Sequence, residues 1–158
     1  MDRDEAVLRP PRGATGFRGR NEKPLPDTDP GAFRRACFQA ARRVPARLGE
    51  LVPAGVSTFH SMTISDDSGS YTVLCHAHLP VVAFTGTPPM PGLPVRDFMD
   101  VPLNTGGFEA EGLRVLSADE LGTPVARLDL GDLARAERVQ IRHWRPQVLG
   151  DLLFNWWD

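Results

Sequence analysis

The sequence contains few of the features that identify a function directly. Its 158 residues include one lysine, one tyrosine and two cysteines, Cys37 and Cys75, which form no CxxC pair. Two cysteines cannot build a disulfide framework, so a reducing compartment is expected. No apolar run reaches the roughly 18 residues that a membrane span needs, and no apolar signal core follows the N-terminus. We therefore predict a cytoplasmic protein without a membrane partner.

Motifs that define common enzyme classes are also missing. The chain has no glycine-rich phosphate loop, no GxSxG elbow, no HExxH pair and no zinc-finger spacing. These absences exclude most NTPase, serine hydrolase and zincin interpretations. They leave open a small enzyme that binds its ligand in a half-barrel, although the sequence as a whole favours a protein without catalytic activity.

The first 28 residues lack the apolar periodicity of a folded element and are rich in proline and glycine. Such a segment buries too little apolar surface to offset the entropy lost on ordering. We predict a flexible Arg/Pro/Gly-rich tail over 1–28, followed by a single domain over 29–158. The RG pieces at 12–13 and 18–20 are similar to nucleic-acid-binding segments, which makes nucleic acid a second, weaker candidate partner.

Hydrophobic periodicity predicts a first helix from about Asp29 to Val44. Asp29 can cap this helix, and Pro30 suits its first position. One face is apolar at helical spacing and comprises Phe33, Ala36, Cys37, Ala40, Ala41 and Val44. Cys37 is therefore expected in the core. Cys75, on an apolar strand face, is expected there too rather than acting as a nucleophile.

Antiparallel strands are predicted for the middle of the chain. Alternation over 56–64 and 70–78 flanks a turn at 66–69. Further strands are predicted at 81–85, 113–116, 125–130 and about 137–144, with a capping box at Ser117 and Glu120. The expected fold class is α+β: a curved antiparallel sheet of five or six strands, one form of which is a half-barrel, packed with an N-terminal and a C-terminal helix.

The C-terminal helix is predicted from Pro146 to about Trp157. Its apolar face would consist of Val148, Leu149, Leu152, Leu153 and Trp156. Phe154 would point away from this face, and Trp157 would lie near its edge. Trp144 and Trp156 are expected in the core.

Three histidines form the clearest candidate for chemistry. His76 and His78 stand at i and i+2, so on one strand both imidazoles would project to the same face. His60 lies on the partner strand and is a possible third ligand. This pattern supports the alternative hypothesis, a small enzyme or metal-binding pocket protein that holds a divalent transition metal. The leading hypothesis has no cofactor.

A partner surface is suggested by aromatic residues on the wrong side of their helices. Phe38 lies between Arg34 and Arg42 on the polar side of the first helix. Phe154 lies off the apolar face of the last helix, with Trp157 near its edge, and these five residues are the candidate partner-binding set. Residues 31–50 carry a net charge of +4 and residues 51–158 one of −6, a polarity that can steer an acidic partner. The leading hypothesis is a non-catalytic protein-binding or accessory module, of the kind that immunity and adaptor proteins represent.

Overall fold

The structure, a computed structural model, describes residues 9–42, 44–102 and 105–157. Over these ranges it confirms the predicted α+β class: five α-helices accompany a curved six-stranded sheet that is not closed into a barrel. In chain order the elements are α1 (Pro30–Ala41), β1 (Arg47–Leu48), β2 (Phe59–Asp66), β3 (Gly69–His76), β4 (Val81–Thr85), β5 (Phe98–Met99), α2 (Gly106–Ala110), β6 (Arg114–Val115), α3 (Ala118–Leu121), a 3-10 turn (Val125–Arg127), α4 (Arg135–Trp144) and α5 (Leu149–Leu153).

The sheet is built around the predicted hairpin. Its strand order is β1-β2-β3-β4-β5, with antiparallel neighbours, and β6 pairs in parallel with β4. The turn between β2 and β3 is held by Asp66, whose side chain accepts hydrogen bonds from the backbone N–H and the hydroxyl of Ser68. Gly69 follows with a φ of 143°, which a residue with a Cβ rarely adopts.

One surface of the sheet, called here the α1 face, is covered by α1 and α2. The side chain of Asp29 caps α1 by accepting from the N–H of Gly31 at 2.9 Å, as predicted. The two helices approach closely at Gly107, where an added Cβ would lie 2.7 Å from the Cβ of Gln39. The apolar core of this face comprises Phe33, Ala36, Cys37, Ala40, Met62, Ile64, Tyr71, Val73, Cys75, Val82, Phe84, Phe108 and Leu113.

The opposite surface, called here the C-terminal face, is covered by irregular chain. The segment around Ala14, the helices α3 to α5 and the residues after them pack against it. Its core comprises Ala14, Phe59, Leu74, Leu79, Ala83, Val95, Leu116, Leu121, Leu133, Ile141, Leu149, Leu152, Leu153 and Phe154. Because alternate residues of β3 serve the two faces, its last six residues are all buried.

Part of the predicted tail over 1–28 packs against the rest of the chain in the structure. Residues 1–8 lie outside the described residues, but Ala14 and Thr15 are fully buried. The carboxylate of Glu137, itself fully buried, accepts from the N–H of Gly13 at 2.9 Å, from the N–H of Thr15 at 3.0 Å and from the Thr15 hydroxyl at 2.7 Å. Polar contacts order this segment where apolar periodicity is absent, so periodicity could not detect it.

Two of the predicted strands are wrong. Residues 125–130 contain a 3-10 turn at Val125–Arg127, and all of 137–144 belongs to the helix α4. The inward residues of α4 are Glu137 and Ile141, which are four apart and therefore lie on one helical face. The inward position of Glu137 depends on its contacts with the distant N-terminal segment. Local sequence does not encode those contacts.

The last helix is shorter than predicted. It spans only Leu149–Leu153, and Phe154 has extended dihedral angles, φ −114° and ψ 93°. The chain leaves the helix because Thr58 binds it: the Thr58 hydroxyl donates to the carbonyl of Leu153 at 2.7 Å and accepts from the N–H of Asn155 at 3.0 Å. Phe154 therefore does not follow helical periodicity, and its ring lies in the core.

Candidate functional site

His76 serves as a structural anchor. Its Nδ1 accepts from the N–H groups of His78 and Leu79 at 3.0 and 3.1 Å, which leaves the proton on Nε2 to be donated to the carbonyl of Ala14 at 2.8 Å. Burial lowers the pKa of His76 to about 4. Both ring nitrogens are therefore occupied within the protein, and neither offers a free lone pair to a metal ion.

The other two histidines of the metal hypothesis are directed elsewhere. In the hairpin register His60 is paired with Cys75, while His76 is paired with Phe59, so His60 and His76 project to opposite faces of the sheet. His60 accepts from the N–H of Ala54 at 2.8 Å through Nδ1. His78 lies beyond β3, with its Nδ1 2.9 Å from the carbonyl oxygen of Pro26.

Across the described ranges, no group of three His, Cys, Asp or Glu side chains is placed to hold a metal ion. Metal binding by His60, His76 and His78 stays a prediction, and the geometry adds no support to it. The thiols offer no nucleophile either: Cys37 and Cys75 are buried, and desolvation raises the pKa of each to about 12.

The first candidate site is the outer surface of α1. Phe38 is 50% exposed, and the guanidinium of Arg34 lies 5.4 Å from the centre of its ring. Arg42 follows one turn later, as the helical spacing predicts. Neither arginine has an ion pair with any residue that the structure describes, whereas their neighbour Arg35 is paired with Glu111 at 2.9 Å. We call the set Arg34, Phe38 and Arg42 the α1 surface.

A groove runs beside the α1 surface. It has a volume of about 430 Å³ and is lined by Arg34, Phe38, Leu48, Gly49, Glu50, Leu51 and Met62. Leu48 and Leu51 contribute apolar lining, and among the lining residues Arg34 is cationic and Glu50 is anionic. Exposed Arg47, on the edge strand β1, adds a further positive charge nearby. The groove can therefore receive an apolar side chain, while Arg42 and Arg47 outside it can contact negative charge on the same partner segment.

The second candidate site is a cleft at the C-terminal end, which we call the tryptophan cleft. Its volume is about 380 Å³, and it is lined by Gly92, Leu93, Pro94, Trp144, Arg145, Pro146, Gln147, Asp151, Phe154, Asn155, Trp156 and Trp157. Trp144, predicted to be buried, is 42% exposed. It lies parallel to Trp157, with ring planes 3° apart and centroids at 6.2 Å. Sequence reasoning missed Trp144 and Arg145 because helix α4 was predicted as a strand.

Of the five residues proposed for partner binding, Phe154 does not lie on an accessible surface. It is fully buried and packs edge-on against Phe59 and His76, with ring centroids 6.1 and 6.0 Å away. Trp157 is partly exposed and lines the tryptophan cleft. The remaining three residues form the α1 surface on the other side of the sheet, so the structure separates the predicted set into two regions.

Comparison of the chain with family models, with curated proteins and with solved structures finds no match. Among the described residues, no helix is both long and apolar enough to cross a membrane. What the protein does must therefore be inferred from the geometry of its own two surfaces.

Proposed function

We propose that the chain is a non-catalytic protein-binding module that docks an acidic segment of a partner protein on its α1 surface. The observation that carries the proposal is the half-exposed Phe38 beneath Arg34. The exposed half of this ring is available to a partner, and aromatic and arginine side chains dominate the binding energy of protein interfaces.

Charge complementarity selects the partner. Arg34 and Arg42 have no ion pair with any part of the chain that the structure describes, and residues 31–50 carry a net charge of +4. Carboxylates of a partner would supply the missing counter-charges and would accelerate association. The α1 surface also offers the leucine-lined groove beside Phe38. An apolar side chain flanked by Asp or Glu is thus the expected contact.

A protein segment fits these features better than a nucleic acid. Several basic groups of the N-terminal segment already have partners within the chain. Arg9 lies 3.3 Å from a carboxylate oxygen of Asp129, and Arg12 and Arg18 donate to backbone carbonyls. The remaining chain over 51–158 carries a net charge of −6, which repels a polyanion that extends beyond the α1 surface.

The experiment is a selection from a random peptide library displayed on phage, followed by fluorescence polarisation with the selected peptides. We expect selected peptides enriched in Asp and Glu around one large apolar residue, and binding that weakens with added salt. Arg34→Glu and Phe38→Ala should each weaken binding at least tenfold. Arg127→Glu is the matched control, because Arg127 is exposed but lies away from the α1 surface.

Two results would refute the proposal. One is a selection without acidic enrichment. The other is equal binding of the selected peptides by wild type and Arg34→Glu. Circular dichroism of each variant checks that the fold is retained, which is expected because Arg34 and Phe38 are both exposed.

A further inference from the structure

The tryptophan cleft is distinct from the α1 surface, because its lining residues border the C-terminal face of the sheet. From the cleft we infer a second binding site, for a small planar aromatic carboxylate. The inference rests on three features of the cleft: parallel indoles, a cation without an ion pair in the described part of the chain, and a floor that hydrogen bonds hold in place.

The indoles provide a flat apolar wall. Trp144 is held in its orientation by a hydrogen bond from its Nε1 to Oε1 of Gln140 at 3.0 Å and by the parallel ring of Trp157. Leu93 and Pro94 lie among the other lining residues. A planar ring that stacks on an indole buries apolar area with little loss of side-chain entropy, because the wall is already ordered. The volume of about 380 Å³ is the size of a small-molecule site.

The charged side chains of the cleft favour an anionic ligand. Among the residues that the structure describes, Arg145 and Asp151 are the charged residues that line the cleft. Asp151 is already hydrogen-bonded within the chain, because its Oδ2 accepts from the N–H groups of Gln147 and Val148 at 3.2 and 3.3 Å. Arg145 has no ion pair with any residue of the described ranges. A carboxylate is the group that a free guanidinium binds with two hydrogen bonds.

The backbone at Arg145 supports a role for its side chain. Arg145 ends α4 in the left-handed region, with a φ of 53°, where glycine is the preferred residue. A side chain with a Cβ strains the backbone at this position, whereas glycine does not. This position is occupied by a long cationic side chain, although glycine would remove the backbone strain.

The floor of the cleft is fixed from below. The side-chain amide of Asn155 donates to the carbonyls of Thr15 and Leu152 at 3.2 and 3.0 Å, and its oxygen accepts from the N–H of Trp157 at 3.2 Å. Asn155 is 4% exposed. The N-terminal segment therefore helps to position Trp157, and the cleft exists before a ligand arrives.

The experiment uses 2-naphthoate as the probe and 2-naphthamide, which is neutral and nearly isosteric, as the matched ligand. Binding is followed by the indole N–H resonances in ¹H–¹⁵N NMR of the full chain, because the chain has three tryptophans. We expect saturable shifts with naphthoate and at least tenfold weaker binding of naphthamide. The variant Arg145→Gly should fold at least as well as wild type and bind naphthoate at least tenfold more weakly.

The controls separate this site from the proposed function. Arg142→Ala removes an exposed arginine of the same helix and should bind naphthoate as wild type does. Phe38→Ala should also leave naphthoate binding unchanged. Equal affinity for naphthoate and naphthamide, unchanged binding by Arg145→Gly, or no saturable shift at millimolar probe would each overturn the inference. Loss of acidic-peptide binding on Trp144→Ala would overturn it too, because the cleft would then belong to the protein interface.

Discussion

The two faces of the sheet are covered by two different kinds of structure. On the α1 face a regular amphipathic helix buries Phe33 and Cys37 in an apolar core. On the C-terminal face the cover is a set of short elements tied together by buried polar groups, with Glu137, His76 and Asn155 at the centre. Apolar periodicity builds the first cover, whereas long-range hydrogen bonds build the second.

The two candidate sites are therefore held in place by different interactions. The α1 surface is presented by a helix whose own inner face holds it in place. The tryptophan cleft depends on residues that are distant in sequence, since Asn155 binds Thr15 and Thr58 binds the chain around Leu153. Substitutions that break the buried polar hydrogen bonds should therefore disturb the tryptophan cleft and leave the α1 surface unchanged.

The strongest contrast in stability is expected between substitutions of two phenylalanines. Helical periodicity predicts that both rings lie on the wrong side of their helices. Phe154→Ala removes a fully buried ring and should lower the free energy of unfolding by about 3–5 kcal/mol. Phe38→Ala removes a half-exposed ring and should change it by less than about 0.5 kcal/mol. Denaturant melts of the two variants measure both values. Equal losses would contradict the placement of one of the two rings.

The next effect tests the polar cover itself. Glu137→Gln replaces one accepting oxygen with an N–H₂ group that faces backbone donors, and should cost about 3 kcal/mol. Exposed Glu109→Gln is the matched control and should change the free energy of unfolding little. Hydrogen exchange should show the lost protection at Thr15 rather than on α1. A uniform loss over both faces would show that the two covers unfold as one unit.

The smallest effect is a dependence on pH. Burial holds the folded pKa of His76 at about 4, below the ordinary value of 6.5. Stability from this group is complete above pH 6.5 and falls as the pH drops toward 4, because the unfolded chain binds the proton first. Between pH 7 and pH 5 the free energy of unfolding should fall by about 2 kcal/mol. His60, whose pKa burial also lowers, acts in the same direction.

Urea melts of wild type and His76→Gln at both pH values measure this dependence. The variant should be less stable at pH 7 and should show a smaller difference between the two pH values. An identical pH dependence in the two proteins would assign the effect to other groups.

The sequence predicted the α1 face well because each of its signals is local. Asp29 and Pro30 define the start of the helix, and the spacing from Phe33 to Ala41 defines its buried side. The hairpin and the capping box of Ser117 with Glu120 follow from short-range turn and cap chemistry in the same way. The exposed set of Arg34, Phe38 and Arg42 came from that same periodicity.

The other face could not be predicted by the same means. The alternation of polar and apolar residues over 137–144 suggests a strand. In the structure these residues form a helix, and Glu137 faces inward and accepts a hydrogen bond from Thr15. Gly13 and Thr15, within the predicted tail, form hydrogen bonds with residues over a hundred positions away. The tryptophan cleft was missed because it forms only when α4 ends at Arg145 and the chain beyond Leu153 is extended.

Sequence patterns were sufficient to predict the α+β class, the hairpin, helix α1 and the polarity of charge between 31–50 and the rest of the chain. Tertiary structure alone decided that Phe154 is buried, that Trp144 is exposed beside Trp157, and that Glu137 holds the N-terminal segment. The physical reason is the range of the interactions. Capping, turn chemistry and apolar periodicity act between residues that are close in sequence. A buried polar group forms its hydrogen bonds with backbone groups that can be far away in sequence and that only the fold brings near.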